Sequence, residues 1–520
     1  MTWRAAALLA LICVVLGVST TSATIVNKPV TKGLGHGAFY QAPLGKRSCY
    51  GSHAGIRLEA HRCTLLAQLK GANATTPLAV AADSRAIYAA SGGGVLVLNS
   101  NQSGDISFNS CAVITSPCGV YENDEGATVK EIDVGPGGRQ LYVLIDRAQE
   151  EGTEIHAMAI GTDHGLSPDP SCLLLIPTQT PGVPTSNPRT CKIDTGDDRY
   201  GGEGLVLTPD GRFAYLISSS RTPSSNIVEM ARDANGSLSV LPGCVSGHGG
   251  HTFGQAGQCE TTLPVAQSGE DYLNLRQLAP TPNSASLIAR GDNRAHEPFL
   301  VRFTIDADGN LIRSRSPNAC VNLSGGYGCV RSTALFEDVT PMAIARNRVY
   351  VGTSTYTRSY PDTFTSKLLG YELTGDGGLS LPAGAAGCAG NVTTPRTRIT
   401  KVAGCSLGRE GMRHPYLVFT GPRGDTVYVL GFIISNSHGI APFKLGSSGA
   451  PAPVKGPSGC LLDGTLFTGE RTPCNRVFAR ETLADAELTF ALAPDGRSAY
   501  LLSQVRPFDV DRLVVLQRVP

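Results

Sequence analysis

A strand-turn-strand unit that recurs along the chain limits its fold more than any other pattern. The stretch 205–220, LVLTPDGRFAYLISSS, places Pro209, Asp210 and Gly211 between two apolar, β-prone runs. Proline presets the first turn position, aspartate bonds its own backbone and glycine accepts a positive φ, so two strands joined by a tight turn are predicted. The unit returns at 491–503 as ALAPDGRSAYLLS. This repetition indicates a fold built from copies of one hairpin-based module.

Weaker copies of the unit bring the total to seven. Their anchor positions are Tyr88, Tyr142, Tyr215, Ile288, Tyr350, Tyr428 and Tyr500. After the anchor strand comes a third β-prone run and then, except in the last repeat, a turn and a short fourth run, and 61 Gly and 33 Pro punctuate the chain. Four short strands per repeat without long helical patterns predict an all-β protein, a seven-bladed β-propeller with four-stranded blades.

The two ends of the chain predict how the ring closes. The C-terminus stops after a third strand at 512–518, and the stretch 39–49 supplies a strand before the first anchor. We expect this N-terminal strand to complete the last blade, because an open sheet edge would otherwise remain.

The N-terminus predicts export. Arg4, an apolar run at 5–18 and small residues at Thr21 and Ala23 form a secretory signal peptide over 1–23. We therefore expect an N-terminal extension at 24–38 and the propeller at 39–520, in a secreted, extracellular protein. No later apolar run approaches the about 18 residues of a membrane span.

The cysteines favour an oxidising compartment. Of 15 cysteines, Cys13 leaves with the signal peptide, and the other 14 form seven close pairs along the chain. No CxxC spacing supports the alternative of a metal site, so one disulfide per blade is predicted, closing that blade's outer insertion. The pairs are Cys49 and Cys63, Cys111 and Cys118, Cys172 and Cys191, Cys244 and Cys259, Cys320 and Cys329, Cys388 and Cys405, and Cys460 and Cys474.

The PDGR turn, the strand pair containing tyrosine, the DG turn and the cysteine-bracketed insertion together resemble secreted seven-bladed propellers of the lactonase-like and YVTN type. The resemblance covers residues 39–520 and implies the fold. It implies no catalytic residue, because none matches by motif, and this fold hosts enzymes and binding proteins alike. The WD40 class fits less well, since the only tryptophan is Trp3.

Ligands of propellers commonly bind at the mouth of the central channel, so charged residues before each innermost strand are the candidates. Carboxylates there can hold Ca²⁺, and His414 beside Arg413 can act as a general base. The alternative is that they are solvated loop charges. The set is Lys130, Glu131, Glu203, Arg276, Glu337, Asp338, Arg409, Glu410, Arg413, His414, Asp485 and Glu487, of which Glu203, Glu337, Glu410 and His414 are the catalytic candidates.

The loops predicted at 146–152, 290–298 and 353–367 form a second set of candidates, and Tyr356, Tyr360 and Phe364 offer a binding surface in the last. His248 and His251 are half of a metal site or part of a Gly-rich loop. The run 306–310, DADGN, resembles the start of a calcium loop but lacks its downstream glutamate, so we interpret it as a turn.

Short motifs add further hypotheses. RGD tripeptides at 290–292 and 423–425 arise by chance or serve adhesion, and five sequons permit glycosylation, at Asn73, Asn101, Asn235, Asn322 and Asn391.

Charge identifies no partner class. The net charge of +1 predicts no nucleic-acid binding. The leading hypothesis is an extracellular binding or scaffold protein for an unknown protein, glycan or small molecule. The alternative is a lactonase-like hydrolase or lyase acting at the channel mouth.

Overall fold

The strands of the chain group into sheets that each begin with the predicted hairpin. A computed structural model describes residues 39–41, 49–52, 64–70, 77–91, 93–101, 105–114, 118, 127–147, 152–176, 191–195, 201–219, 225–246, 273–293, 295–326, 328–335, 338–357, 363–393, 399–409, 412, 414–432, 438–455, 460–463, 475–477, 489–505 and 510–518. Within these residues the strands form seven hydrogen-bonded sheets.

The N-terminal strands and the first three sheets are as follows. The chain starts with β1 (Phe39–Gln41), β2 (Cys49–Gly51) and β3 (Thr64–Leu65). Sheet 1 contains β4 (Leu78–Val80), β5 (Ala86–Ser91), β6 (Gly94–Ser100) and β7 (Ile106–Val113). Sheet 2 contains β8 (Ala127–Val134), β9 (Gln140–Arg147), β10 (Gly152–Ile160), β11 (Leu166–Ile176) and β12 (Lys192–Thr195). Sheet 3 contains β13 (Gly202–Leu207), β14 (Phe213–Ser219), β15 (Ser225–Arg232) and β16 (Leu238–Ser246).

The remaining sheets carry additional short strands. Sheet 4 contains β17 (Leu273–Pro280), β18 (Ser286–Asn293), β19 (Pro298–Ile305), β20 (Leu311–Arg313), β21 (Cys320–Asn322) and β22 (Val330–Arg331). Sheet 5 contains β23 (Asp338–Ala345), β24 (Arg348–Thr357), β25 (Thr363–Leu373), β26 (Leu379–Ser380), β27 (Cys388–Thr393), β28 (Ile399–Lys401) and β29 (Ser406–Leu407). Sheet 6 contains β30 (His414–Thr420), β31 (Thr426–Phe432), β32 (His438–Leu445), β33 (Pro451–Pro453), β34 (Leu461–Asp463) and β35 (Asn475–Val477). Sheet 7 joins β36 (Thr489–Leu492), β37 (Ser498–Val505) and β38 (Val510–Arg518) to β1, β2 and β3.

The helical content of the described residues is three single-turn 3-10 helices, at Ala67–Leu69, Pro317–Ala319 and Gly384–Ala386. None of the described helices has the length and apolar character needed to cross a bilayer. The prediction of an all-β fold with four antiparallel core strands per sheet is confirmed, and the protein is a β-propeller.

Apolar side chains fill the space between consecutive sheets. Tyr215 and Ile217 of sheet 3, for example, pack with Leu287 and Phe303 of sheet 4 in one buried cluster. Every other pair of consecutive sheets shares a comparable cluster, and sheet 7 shares one with sheet 6 and another with sheet 1. Burial of each large side chain contributes about 1.5–3 kcal/mol, so these clusters are the main source of stability.

The anchor tyrosines carry a polar bond between sheets. Tyr142 donates its hydroxyl proton to the carbonyl of Gly236 at 2.7 Å, and Tyr215 does the same to Gly309 at 2.9 Å. Both acceptors are positive-φ glycines in the turn between the third and fourth strands of the next sheet. Tyr350 repeats the bond to Gly449 at 2.6 Å, and burial raises its pKa to about 12. The anchor therefore links sheet 2 to sheet 3, sheet 3 to sheet 4 and sheet 5 to sheet 6.

Three junctions use variants of this bond. Tyr500 of sheet 7 bonds the Ser100 hydroxyl of sheet 1 at 2.7 Å, and Tyr428 of sheet 6 accepts a hydrogen bond from Arg518 Nε of sheet 7 at 2.6 Å. Where sheet 4 carries Ile288, the directly opposite Arg302 donates to the carbonyl of Thr374 in sheet 5 at 2.8 Å. The arginine thus replaces the missing tyrosine hydroxyl.

Disulfides lie at the outer edge of the sheets. Bonds join Cys111 to Cys118, Cys172 to Cys191, Cys320 to Cys329 and Cys388 to Cys405, which are four of the predicted pairs. Cys49, Cys244 and Cys460 are also disulfide-bonded, and the partners predicted for them, Cys63, Cys259 and Cys474, lie outside the described residues.

A parallel outer strand follows the disulfide in several sheets, which the sequence did not predict. In sheet 2, Leu173 pairs with Lys192, the residues directly after Cys172 and Cys191. The same register recurs in β2–β3, β21–β22, β27–β29 and β34–β35. In each case, the residue that follows the first cysteine of a pair lies opposite the residue that follows the second cysteine. The cysteine pair therefore determines how the last strand aligns.

The loop predicted at 353–367 is mostly strand, and this prediction was wrong. β24 continues to Thr357 and β25 begins at Thr363. The threonines on both sides favour an extended backbone, so the hairpin ladder runs past the expected loop boundary. Parts of the predicted loops 146–152 and 290–298 likewise belong to strands.

We expect Tyr215→Phe to lower the free energy of unfolding by about 1–2 kcal/mol, because the buried carbonyl of Gly309 loses its hydrogen-bond donor. Urea denaturation followed by circular dichroism measures the change. Asp308→Asn in the same turn is the control, since the Asp308 side chain is exposed. An unchanged midpoint for Tyr215→Phe would contradict a stabilising role of the bond.

Candidate functional site

The first strands of the sheets lie innermost. Consecutive first strands contact one another from β36 to β4 and onward through β8, β13, β17, β23 and β30. In a propeller these strands surround the central axis, so the ends that enter each sheet form the mouth of the channel.

A β-bulge interrupts the pairing of several first strands near that mouth. Lys130 in β8, Glu203 in β13 and Arg276 in β17 are each the extra residue of a bulge. Tyr416 occupies this position in β30, and the bulge of β23 contains Thr340 and Pro341. A bulge redirects its extra side chain away from the ladder, so three of the predicted charged candidates occupy equivalent positions in consecutive sheets.

The two cations of this set are held by carboxylates of their own sheets. Arg276 Nε donates to Asp292 Oδ1 at 2.8 Å, and Lys130 Nζ lies 3.6 Å from Asp146 Oδ2. Both aspartates come from the end of the second strand, next to the bulge. Each pair orients its cation while leaving it partly exposed, since 48% of the Arg276 side chain and 40% of the Lys130 side chain is accessible.

Glu203 lies between these two pairs. Partial loss of water around its carboxyl raises the pKa of Glu203, and Arg276 and Lys130 oppose that shift. Gly202 and Gly204 flank it, and a side chain at position 202 would collide with Thr153 of sheet 2. We call Lys130, Glu203 and Arg276, with their partners Asp146 and Asp292, the bulge site.

The neighbouring Arg290 adds a further cation below the surface. Burial lowers the pKa of Arg290 to about 10, while Asp292 opposes that shift. Among the described residues, three cations, Lys130, Arg276 and Arg290, therefore balance three carboxylates, Asp146, Glu203 and Asp292.

In β17 and β8, the residue after the bulge bonds the backbone of the next sheet. Gln277 in β17 donates its amide to the Met342 carbonyl at 3.0 Å and accepts from the Met342 N–H at 2.5 Å. Glu131 has the corresponding position in β8 and accepts from the Leu205 N–H at 2.5 Å. Burial, followed by the nearby Asp133, raises the pKa of Glu131 to about 8, against the lowering effect of the Leu205 bond. A protonated Glu131 therefore offers one donor and one acceptor, as Gln277 does.

The wild-type protein should lose stability as the pH rises from about 4.5 to about 8, because Glu131 keeps its proton in the folded state while the unfolded chain releases it. Burial also raises the pKa of Asp133, to about 6, which adds in the same direction. Glu131→Gln should reduce this pH-dependent loss in the free energy of unfolding by about one to a few kcal/mol. Urea unfolding between pH 4 and 9 measures it.

Gln277→Glu is the converse variant and should introduce the same pH dependence in sheet 4. A Glu131→Gln curve parallel to that of the wild type would contradict the assignment of the proton to Glu131.

Two of the other candidates at the mouth, Arg409 and His414, are described and bond other parts of the protein. Arg409 donates to the carbonyl of Val454, and His414 Nδ1 bonds the hydroxyl of Ser354 at 2.9 Å. Ser354 is only 1% exposed, so this pair links sheets 5 and 6 away from solvent. Glu337, Glu410, Arg413, Asp485, Glu487 and the side chain of Asp338 lie outside the described residues.

Sequence reasoning missed Tyr416, and burial raises its pKa. Tyr416, Phe419 and Phe490 pack against the cluster between sheets 6 and 7. The ring centroids of Phe419 and Phe490 are 4.0 Å apart. The first strands are thus charged in sheets 2 to 4 and apolar in sheets 6 and 7. Tyr416 and Phe419, close together just before the anchor hairpin of Tyr428, were the available signal.

The described residues contain no cluster of ligands that supports the hypothesis of a metal site. Among the residues that the structure describes, no group of three or more His, Cys, Asp or Glu is arranged to hold an ion. The run 306–310 is a turn in which the Asp306 carboxylate accepts from the N–H groups of Asp308 and Asn310, so the turn prediction is confirmed. His248 and His251 lie outside the described residues.

Burial separates the predicted sequons. Asn322 is 2% and Asn391 0% exposed, and their amides donate to the carbonyls of Gly326 and Arg409. A glycan on either amide is incompatible with this packing, so these two predicted sites are corrected. Asn101 and Asn235 lie exposed at turns, and Asn73 is outside the described residues.

The first RGD tripeptide lies in a strand, and the second lies in the tight turn between β30 and β31, where Arg423 is exposed. Arg290 belongs to β18 and is largely buried, and Asp425 accepts from Thr426 and lies 3.8 Å from Arg518.

A cavity of about 130 Å³ lies between sheets 2 and 3 at the outer rim, lined by Ile155, Leu173 and Leu238. It is smaller than common ligand pockets of about 300–1,000 Å³, which leaves the bulge site as the stronger candidate.

Comparisons with known proteins find similar solved structures at low sequence identity. No family model and no curated protein matches the chain. A periplasmic gluconolactonase from Pseudomonas aeruginosa is similar in structure, with a TM-score of 0.44, 13% identity, and 85% of this chain and 96% of that chain covered. Crystal structures of putative 6-phosphogluconolactonases from Bacteroides uniformis and Bacteroides fragilis give TM-scores of 0.39 and 0.40, with 14% and 12% identity. They cover 72% and 84% of this chain and 82% and 89% of the other chains.

Proposed function

We propose that this chain is an exported propeller that binds a small polar ligand at the bulge site. The observation that carries the proposal is the placement of Lys130, Glu203 and Arg276 at equivalent bulges of three consecutive first strands. Each bulge interrupts a ladder that would otherwise be continuous, and bulges of this kind recur beside binding and active sites. Partly exposed charges that are oriented by fixed partners are suited to ligand recognition.

Export is part of the same proposal. Disulfides in at least four of the sheets support maturation in an oxidising compartment, outside the cytoplasm. The signal peptide at 1–23, the extension at 24–38 and the propeller at 39–520 remain predictions, which N-terminal sequencing of the exported protein checks.

We further propose that the seven sheets are seven blades and that the N-terminal strands close the ring. Phe39 pairs with Arg518, and Cys49 pairs with Val514, so β1 and β2 add to the outer side of β38. Tyr50 joins the hydrophobic cluster between sheets 7 and 1. These pairings support a last blade assembled from both ends of the chain.

Deletion of residues 1–52 should therefore destabilise the whole protein by several kcal/mol, because β38 loses its partner and Tyr50 leaves its cluster. Deletion of residues 1–38 is the matched control and keeps β1 and β2. Urea unfolding and analytical ultracentrifugation measure stability and association. Equal unfolding midpoints for the two deletions would overturn the closure.

Binding at the bulge site predicts a specific loss of ligand response. A thermal-shift screen with L-amino acids, dipeptides, monosaccharides and sugar acids should yield at least one stabilising compound. Glu203→Gln and Arg276→Gln should reduce its affinity about tenfold or more, since each removes one charge-assisted hydrogen bond. Both residues are partly exposed, so their variants should keep wild-type stability within about 0.5 kcal/mol.

Arg212→Gln is the control, because Arg212 is exposed and bonds only Asp210, in a turn far along sheet 3 from Glu203. Ligand binding that persists in both bulge-site variants would contradict this location.

A second candidate function is hydrolysis with Glu203 as general acid or base. The raised pKa of Glu203 favours it, because a carboxyl that titrates closer to neutrality transfers protons more effectively. Turnover of lactone or ester probes that is lost in Glu203→Gln while probe binding persists would establish this alternative. Loss of binding alone would support the first.

A further inference from the structure

Arg276 and Lys130, the two cations of the bulge site, differ in the hydrogen bonds that they can offer to a ligand. Arg276 uses Nε for Asp292, and within the described residues its two terminal nitrogens have no hydrogen-bond partner. A guanidinium anchored in this way presents two parallel N–H donors, the arrangement that a carboxylate accepts in a bidentate pair. Lys130 lies farther from its partner, at 3.6 Å from Asp146, and presents a point charge.

Glu203 supplies the complementary group. Within the described residues its carboxylate makes no hydrogen bond and no ion pair within 4 Å, although the charges of Arg276 and Lys130 reach it. The residue is exposed at its bulge. An unengaged carboxylate at this position can accept hydrogen bonds from a protonated amine.

The charge balance indicates which ligand fits both groups. Among the described residues the charges of the site balance, with Lys130, Arg276 and Arg290 on one side and Asp146, Glu203 and Asp292 on the other. An anion alone would meet the repulsion of Glu203, and a cation alone that of Arg276. A molecule with both charges gains at both positions and leaves the site neutral.

We propose that the bulge site binds an amino-carboxylic zwitterion, such as a free α-amino acid or a short peptide, with its carboxylate on Arg276 and its ammonium on Glu203. This inference rests on the proposed function and gives it a ligand class. Lys130 and Asp146 complete the site as a second pair of opposite charges, beside the ammonium and the carboxylate.

Isothermal titration with the 20 common amino acids and with glycylglycine tests the proposal. For a compound that binds, the N-acetyl derivative lacks the ammonium and the amide derivative lacks the carboxylate. We expect each derivative to bind at least about tenfold more weakly than the zwitterion, as loss of one charge-assisted hydrogen bond requires.

The variants make the assignment of each end specific. Glu203→Gln should abolish the preference over the N-acetyl derivative while keeping the preference over the amide. Arg276→Gln should do the reverse, and Arg212→Gln should change neither. This cross pattern assigns one end of the ligand to one residue, which a general loss of structure cannot produce.

Three results would overturn the inference. If the N-acetyl derivative binds as well as the zwitterion, the site takes simple anions. If no amino acid or dipeptide binds, but a sugar or sugar acid does and is lost in Glu203→Gln, the ligand class is wrong and the proposed function stands. If no probe binds at all, both fail.

Discussion

A hydrogen bond from one sheet to the backbone of the next holds the propeller in register. Apolar clusters bring the sheets together, but side-chain contacts of this kind tolerate sliding. The tyrosine hydroxyl allows one distance only, because its acceptor is a carbonyl at a fixed glycine of a tight turn, as for Tyr215 and Gly309. The bulges of the first strands can occupy equivalent positions only if consecutive sheets keep this alignment.

Much of the fold could be predicted because the same physical demand is repeated. Each hairpin has a turn residue with positive φ, and six of the seven have a tyrosine on the second strand, so both features recur in the sequence. The repeat could not predict that a residue on one strand replaces a hydrogen bond that a residue on the paired strand cannot make. Arg302 replaces the hydroxyl that Ile288 lacks, and the two residues are opposite each other only after β18 and β19 pair. The outer parallel strands were hidden for the same reason, since their register depends on a bond between distant cysteines.

The sequence predicted the region of the candidate site, but it did not predict which of the charged side chains come together there. Position before the innermost strand pointed to Lys130, Glu203 and Arg276, but also to His414, which bonds the buried Ser354. A bulge leaves no mark in the sequence that distinguishes Lys130, which faces the mouth, from Glu131, which bonds the next strand. Their opposite roles follow from one extra residue in the ladder. The partners Asp146 and Asp292 were visible only as members of predicted loops.

The cysteine-determined register at the rim has an evolutionary consequence. The residues directly after the two cysteines pair in five of the sheets, although the sequence separation is 9 for Cys320 and Cys329 and 19 for Cys172 and Cys191. Insertions and deletions between the cysteines therefore leave the strands beneath them undisturbed. In related chains, each of these segments can vary in length and sequence independently of the others, while the packing of the interior stays the same.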